Sequence, residues 1–321
     1  MNAVGKSSAI FVTLSGLFWG GWILGSQTPE GQEAIARAYA AYAEQQASVN
    51  QNLFDSTALR AVVCGGPESA DAAESKPCLA VIAAGRLFIV DAGSGATAAL
   101  TRHGIPIGAL EAVLLTEAGL NQTADLSALF GESVRGGDPL MAVYGPADTQ
   151  RLVEGLNVSA GLDGAERGLQ AWGPSPEPGR SVIVFEGEGL TVSAFTTQED
   201  AFNGRIGYRF DYRGRSIVVG GDGRVVGADA AMNADVVLQG AQAQALSHIS
   251  HSAAMTAAEV ASQARAANAG MVVLTGAENQ VAARVQVAEA RAAGFDDVVA
   301  GRVGMLVELP LVNQEINVRP L

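Results

Sequence analysis

Three histidines, His103, His248 and His251, are all the imidazole in 321 residues, and Cys64 and Cys78 are all the thiol. His248 and His251 stand three apart in "SHISHSAAMTAAEV", ahead of a helical pattern, so they share a face at a helix start. With Asp222 of "VVGGDG" they would supply three donors of the kind zinc requires, enough for a mononuclear site. A plainer reading has Asp222 bracing a turn and the two histidines as polar loop residues. Without metal, His251 with Asp222 or Glu117 would form a general acid-base pair, but nothing nearby replaces the electrophile a metal would be.

Other reactive patterns dissolve on inspection. Ser250 and Ser252 flank His251 without a Gly-x-Ser-x-Gly elbow, and Ser252 reads as near the N-cap of the next helix. His103 closes a helix before "GIP", where a cation suits the helix dipole. "VDAGSG" and "VVGGDG" are glycine-rich but lack the Lys-Ser/Thr of a phosphate loop, so both read as tight turns.

The elements that must position these residues begin after an unusual N-terminus. Between Lys6 and Glu30 runs an uncharged, largely apolar stretch near the ~20 residues a membrane-crossing helix needs. It is longer than a signal-peptide core and lacks a good cleavage site, so residues 1–29 are expected to be an anchor. Lys6 precedes the span and Glu30 and Glu33 follow it, which puts the N-terminus in the cytoplasm. Gly16 with Gly20, and Gly21 with Gly25, form small-x-x-x-small pairs that would let a partner helix approach. Residues 30–56 read as an amphipathic stalk helix, and 57–321 as the folded domain, with halves of about 57–175 and 176–321 divided by "WGPSPEPGR". Export would place Cys64 and Cys78 in an oxidising compartment, where a disulfide would contribute about 3 kcal/mol; the alternative is two buried thiols.

A net charge of −13 with dispersed acids repels phosphate backbones, which argues against nucleic acid as partner. From Leu59 onward, short apolar runs such as "LRAVVC", "CLAVIA", "RLFIVDAG", "AVLLT" and "SIVVGGD" alternate with helical patterns, as expected of a layered α/β sandwich.

The order of these landmarks resembles the metallo-β-lactamase fold, in the branch that contains ribonuclease Z and arylsulfatase-like hydrolases. The resemblance spans about Leu59 to Leu309. It is carried by "VVCGGPE", the strand pair ending "VDAG", the strand-to-helix junction "VLLTEAGLNQTADLSALF", the hairpin "RIGYRFDYRGRSIVVGGDGR" and "SHISHSAAMTAAEV…MVVLTG". It implies a four-layer αββα sandwich. It also implies that Glu117, Gly119, Asn121, Gln122, Gln198 and Gly276 occupy metal-ligand positions, that Asp222 is the metal-bridging carboxylate, and that His251 matches the catalytic histidine. Glycine has no donor, and neutral amides are poor substitutes for imidazole and carboxylate, so a normal two-zinc site is excluded. The expectation is therefore a protein of the bacterial inner membrane with its bulk in the periplasm. It needs no cofactor and acts as a non-catalytic binding or scaffold subunit, with a membrane protein partner held through the anchor and stalk. A small polar ligand could occupy the cleft lined by Glu117, Asn121, Gln122 and Gln198; equally, those amides could satisfy one another. The alternative is a zinc-dependent hydrolase of esters or phosphoesters using Asp222, His248 and His251.

Overall fold

The computed structural model describes residues 28–29, 32–33, 37, 52–66, 76–197, 204–221, 228–243 and 255–321. Along its central strands, side chains alternate between two buried faces. On Arg215–Gly221, for example, Ile217 and Val219 join a core between two sheets while Val218 joins a second core beneath helices. Strands buried on both faces read as continuous apolar runs, which is why "SIVVGG" and "DVVLQ" carry so few polar residues.

In chain order the first sheet begins with β1 (Ala58–Val63), β2 (Leu79–Ala83) and β3 (Arg86–Val90). Helix α1 (Ala96–Arg102) leads to β4 (Leu110–Leu114), then α2 (Leu120–Thr123) and α3 (Leu126–Ser133). The half closes with β5 (Leu140–Tyr144), α4 (Thr149–Ala160) and β6 (Gly168–Trp172). The second sheet is built from β7 (Val182–Gly187), β8 (Leu190–Thr196), β9 (Ile206–Tyr212), β10 (Arg215–Gly221) and, after α5 (Ala228–Ala231), β11 (Val236–Gly240). Helices α6 (Ala257–Ala266) and α7 (Gln280–Ala292) flank β12 (Met271–Thr275), and β13 (Val298–Ala300) ends the sheet. Finally β14 (Met305–Pro310) and β15 (Asn317–Pro320) return to the first sheet.

The orders are β15-β14-β1-β2-β3-β4-β5-β6 and β13-β12-β11-β10-β9-β8-β7. The Pro/Gly break at 172–180 thus separates the two sheets, but the two sequence halves are not the two sheets. The C-terminal strands cross back and β14 pairs antiparallel with β1. Leu59, Phe88 and Leu114 from one sheet and Val192, Phe210 and Leu238 from the other share a single core. Val260, Ala261 and Ala290 on α6 and α7 cover the outer face of the second sheet through Val237, Val272 and Leu274.

One local reading is corrected. The cap of α6 is Thr256 rather than Ser252, because Thr256 and Glu259 form a capping box in which each side chain accepts from the other's backbone N–H. Asn52 and Leu53 are helical. Residues 54–57 form a bend and turn, where Asp55 accepts from the Thr57 backbone at 3.0 Å and Arg60 takes the carbonyls of Leu53 and Asp55 at 3.0 Å each.

The chain divides into compact units of Met1–Asn52 and Leu53–Leu321. In the first, Gln32 and Glu33 are helical and Arg37 reaches Glu33 at 3.9 Å. The anchor, with Gly16, Gly20, Gly21 and Gly25, and most of the stalk lie outside the described residues; among those described, no helix is long and apolar enough to cross a membrane.

Candidate functional site

The site is built where β3 and β4 end side by side. Asp91, immediately after β3, sits at φ 59, a left-handed backbone uncommon for a non-glycine residue. Its main described partner is Thr116. The buried Asp91 carboxylate accepts from the Thr116 N–H at 2.8 Å and from the Thr116 hydroxyl at 2.7 Å. Across the sandwich the Tyr208 hydroxyl donates to the Leu115 carbonyl at 2.9 Å. Complete burial, and secondarily the negative charge of Asp91, hold that phenol well above its ordinary pKa of 10.0, so it stays neutral and donating. Gly221, at the end of β10 with φ 59, lets the second sheet close on this floor: a Cβ there would lie 2.8 Å from Thr116 Oγ1.

The disulfide joins this framework. Cys64 and Cys78 are bonded, closing a loop of sequence separation 14, and the Gly93 N–H donates to the carbonyl of Pro77 at 2.9 Å. The Ala92 N–H in turn donates to the carbonyl of Gln122 at 2.6 Å. The bridge therefore braces the loop that holds the strand-to-helix junction.

On that junction the positions expected to carry metal ligands differ in what they offer. The Glu117 carboxylate forms an ion pair with Arg205 Nε at 2.9 Å, the two side chains being 33% and 22% exposed. Arg205 enters from the loop before β9, where Ile206 N–H donates to Thr116 O at 3.0 Å and Thr197 N–H to Arg205 O at 3.1 Å. Gln122 is buried and turns inward; a Cβ on Gly119 would lie 2.9 Å from Gln122 Oε1 and 3.5 Å from Glu117 Oε1. Thus the neighbours of Gly119 occupy the space into which a side chain at that position would project. Asn121 is exposed and does not join them. Gly276, just past β12 with φ 81, offers only backbone against Ala241. Gln198, Asp222, His248 and His251 lie outside the described residues.

These donors do not fit a two-zinc centre. One carboxylate is committed to a guanidinium that remains charged at any physiological pH, one amide packs over a glycine, and two positions have no side chain. Among the described residues no group of three or more His, Cys, Asp or Glu could hold a metal ion. What the arrangement can do is hydrogen-bond: it presents a fixed charge pair, a buried amide and the fully buried Thr197, whose hydroxyl has no partner among the described residues. Sequence reasoning missed Arg205, since a lone arginine in "NGRIGY" carries no motif. Asp91 lay within the Asp-x-Gly landmark, although its role in seating Thr116 emerges only from the geometry.

The arrangement of two packed sheets with a helix opening at the β4 end is that of metallo-β-lactamase-fold proteins. The metallo-β-lactamase fold protein YhfI from Bacillus subtilis superposes with a TM-score of 0.63 at 18% identity, covering 78% of this chain and 99% of that one. The short form of human tRNase Z gives 0.61 at 17% identity, with 78% and 99% covered. In sequence, the ribonuclease Z of Bradyrhizobium diazoefficiens is 30% identical over 126 residues, 39% of each chain. That of Mycobacterium sp. (strain KMS) is 29% identical over 168 residues, 47% of this chain and 56% of the relative. The chain thus spans between two-fifths and just over half of the length of these curated relatives. No protein-family model matches it. The relatives and the shared architecture place the chain in the metallo-β-lactamase fold superfamily.

Proposed function

We propose that this chain is a membrane-anchored metallo-β-lactamase-fold protein that acts by binding rather than by two-metal hydrolysis, as a non-catalytic subunit of a membrane-associated assembly in the bacterial periplasm. The single observation that carries this reading is the Glu117–Arg205 pair: a carboxylate in a ligand position already has a permanent cation of the chain's own. The uncharged run between Lys6 and Glu30, with its paired glycines, supports the anchor and gives a partner helix a close surface. Fold alone assigns no activity, and the ribonuclease Z relatives make phosphodiester hydrolysis the activity that must be tested.

The test uses the full chain, purified from gently solubilised membranes without chelator. The expected outcome is recovery in the membrane fraction together with a second protein, metal well below one per chain, and no hydrolysis of bis(p-nitrophenyl) phosphate above background. Stoichiometric zinc that disappears with its hydrolysis in His251→Ala would overturn the reading in favour of the reduced site at Asp222, His248 and His251. Recovery of this chain alone would count against the scaffold role.

A further inference from the structure

A second region of the molecule carries a charge pattern that the first does not explain. Helix α7, strand β13, the loop into β14 and the C-terminal end of α1 enclose a cleft of about 910 Å³. Its lining includes Arg102, Arg284, Arg291, Arg302 and His103, and not one acidic residue. The chain has 20 Lys and Arg against 33 Asp and Glu, so a cleft holding four of the cations and none of the anions departs sharply from the surface average. Val287 and Val299 give it an apolar wall.

Three of these arginines, Arg284, Arg291 and Arg302, are little used by the described fold. Arg284 and Arg302 make no ion pair with any described residue, and the one hydrogen bond of the Arg291 guanidinium among those residues is a long one of 3.4 Å to the Val298 carbonyl. Elsewhere the same chain pairs its arginines closely: Arg60 with Asp55 and Glu308, Arg215 with Asp235. Guanidinium groups bind phosphate oxygens through two parallel N–H donors and are weakly hydrated, so several of them facing one cleft favour a multiply charged oxyanion. The volume falls within the range of small-molecule sites, roughly 300–1,000 Å³, large enough for a nucleotide.

We propose that this cleft binds a nucleotide-sized oligophosphate, the phosphate chain lying on Arg284, Arg291 and Arg302. The proposal stands independently of the function assigned above, because no residue of the Glu117 junction takes part.

The test is calorimetric titration of the full chain in mild detergent at low ionic strength, with ATP, inorganic tripolyphosphate, adenosine and a single-stranded RNA oligonucleotide. Both phosphate compounds bind and adenosine does not. Arg284→Gln with Arg302→Gln raises the dissociation constant at least about tenfold while the unfolding midpoint stays unchanged. Tighter binding of ATP than of tripolyphosphate supports use of the Val287 and Val299 wall; equal affinities support recognition of the phosphate chain alone. Failure of both phosphates to bind at millimolar concentration, equal affinity in the double variant, or tighter binding of the RNA than of either phosphate would overturn the proposal.

Discussion

The Glu117 junction and the arginine cleft treat charge in opposite ways. At the junction Arg205 and Glu117 neutralise one another within the fold, beneath them Asp91 accepts twice from Thr116, and Gln122 fills the space above Gly119. In the cleft, Arg284 and Arg302 face solvent with no described counter-ion. Internal satisfaction stabilises structure, whereas charge left unsatisfied at the surface is free to recognise an external partner. The region that resembles an active centre by position is therefore the more structural of the two by energetics.

The strongest way to break this comparison is at the floor of the junction. Asp91→Ala strands the buried Thr116 N–H and hydroxyl, and is expected to cost about 4 kcal/mol in chemical denaturation, from two unsatisfied donors and a left-handed non-glycine backbone. A loss below about 1 kcal/mol would mean that the network is not what holds the junction. Replacing Cys64 and Cys78 together by serine is expected to cost about 3 kcal/mol, the chain-entropy value for a loop of this length. An equal destabilisation of the wild type by reductant checks that the bridge forms.

Smaller effects sharpen the contrast itself. A double-mutant cycle on Glu117→Ala and Arg205→Ala should return a coupling of about 0.5–1 kcal/mol, modest because both groups remain partly exposed. Arg284→Gln should cost less than about 0.5 kcal/mol, since it breaks no described pair. A cost for Arg284→Gln matching that of Arg205→Ala would erase the distinction between the two regions.

The smallest expected effect is a pH dependence. The fold raises the pKa of Tyr208, so its contribution to stability is present below the unfolded value of about 10 and is lost as pH rises beyond it towards the folded one. Tyr208→Phe should flatten the alkaline limb of the stability curve. An ultraviolet titration in which every tyrosine ionises together in the folded protein would contradict the buried, neutral phenol.

Much of the fold was legible because buried strands and amphipathic helices leave periodic signals. "RLFIVDAG" and "MVVLTG" announced β3 and β12, and "NQVAARVQVAEARAAG" carries the helical pattern of α7, whose Asn279 cap the structure adds. The return of β14 and β15 to the first sheet was not legible, since pairing with β1 depends on a partner more than two hundred residues away. At the site, the resemblance singled out Glu117, Gly119 and Gln122, which the fold brings together at the end of β4. That Asn121 turns outward was not legible, because one helical step decides which face a side chain takes.

The sequence by itself determined that the chain has only three histidines and that glycine stands at positions 119 and 276, and no folding can supply a donor that glycine does not have. It also determined the layered architecture, through patterns local to each element. Only the tertiary structure decided what became of the remaining charges. Arg205 comes to Glu117 across 88 residues, while Arg102 meets Arg284, Arg291 and Arg302 in one cleft through the packing of α1, α7 and β13. Such encounters depend on how distant elements are brought together, and Coulomb interactions between them carry no periodicity that the sequence could display.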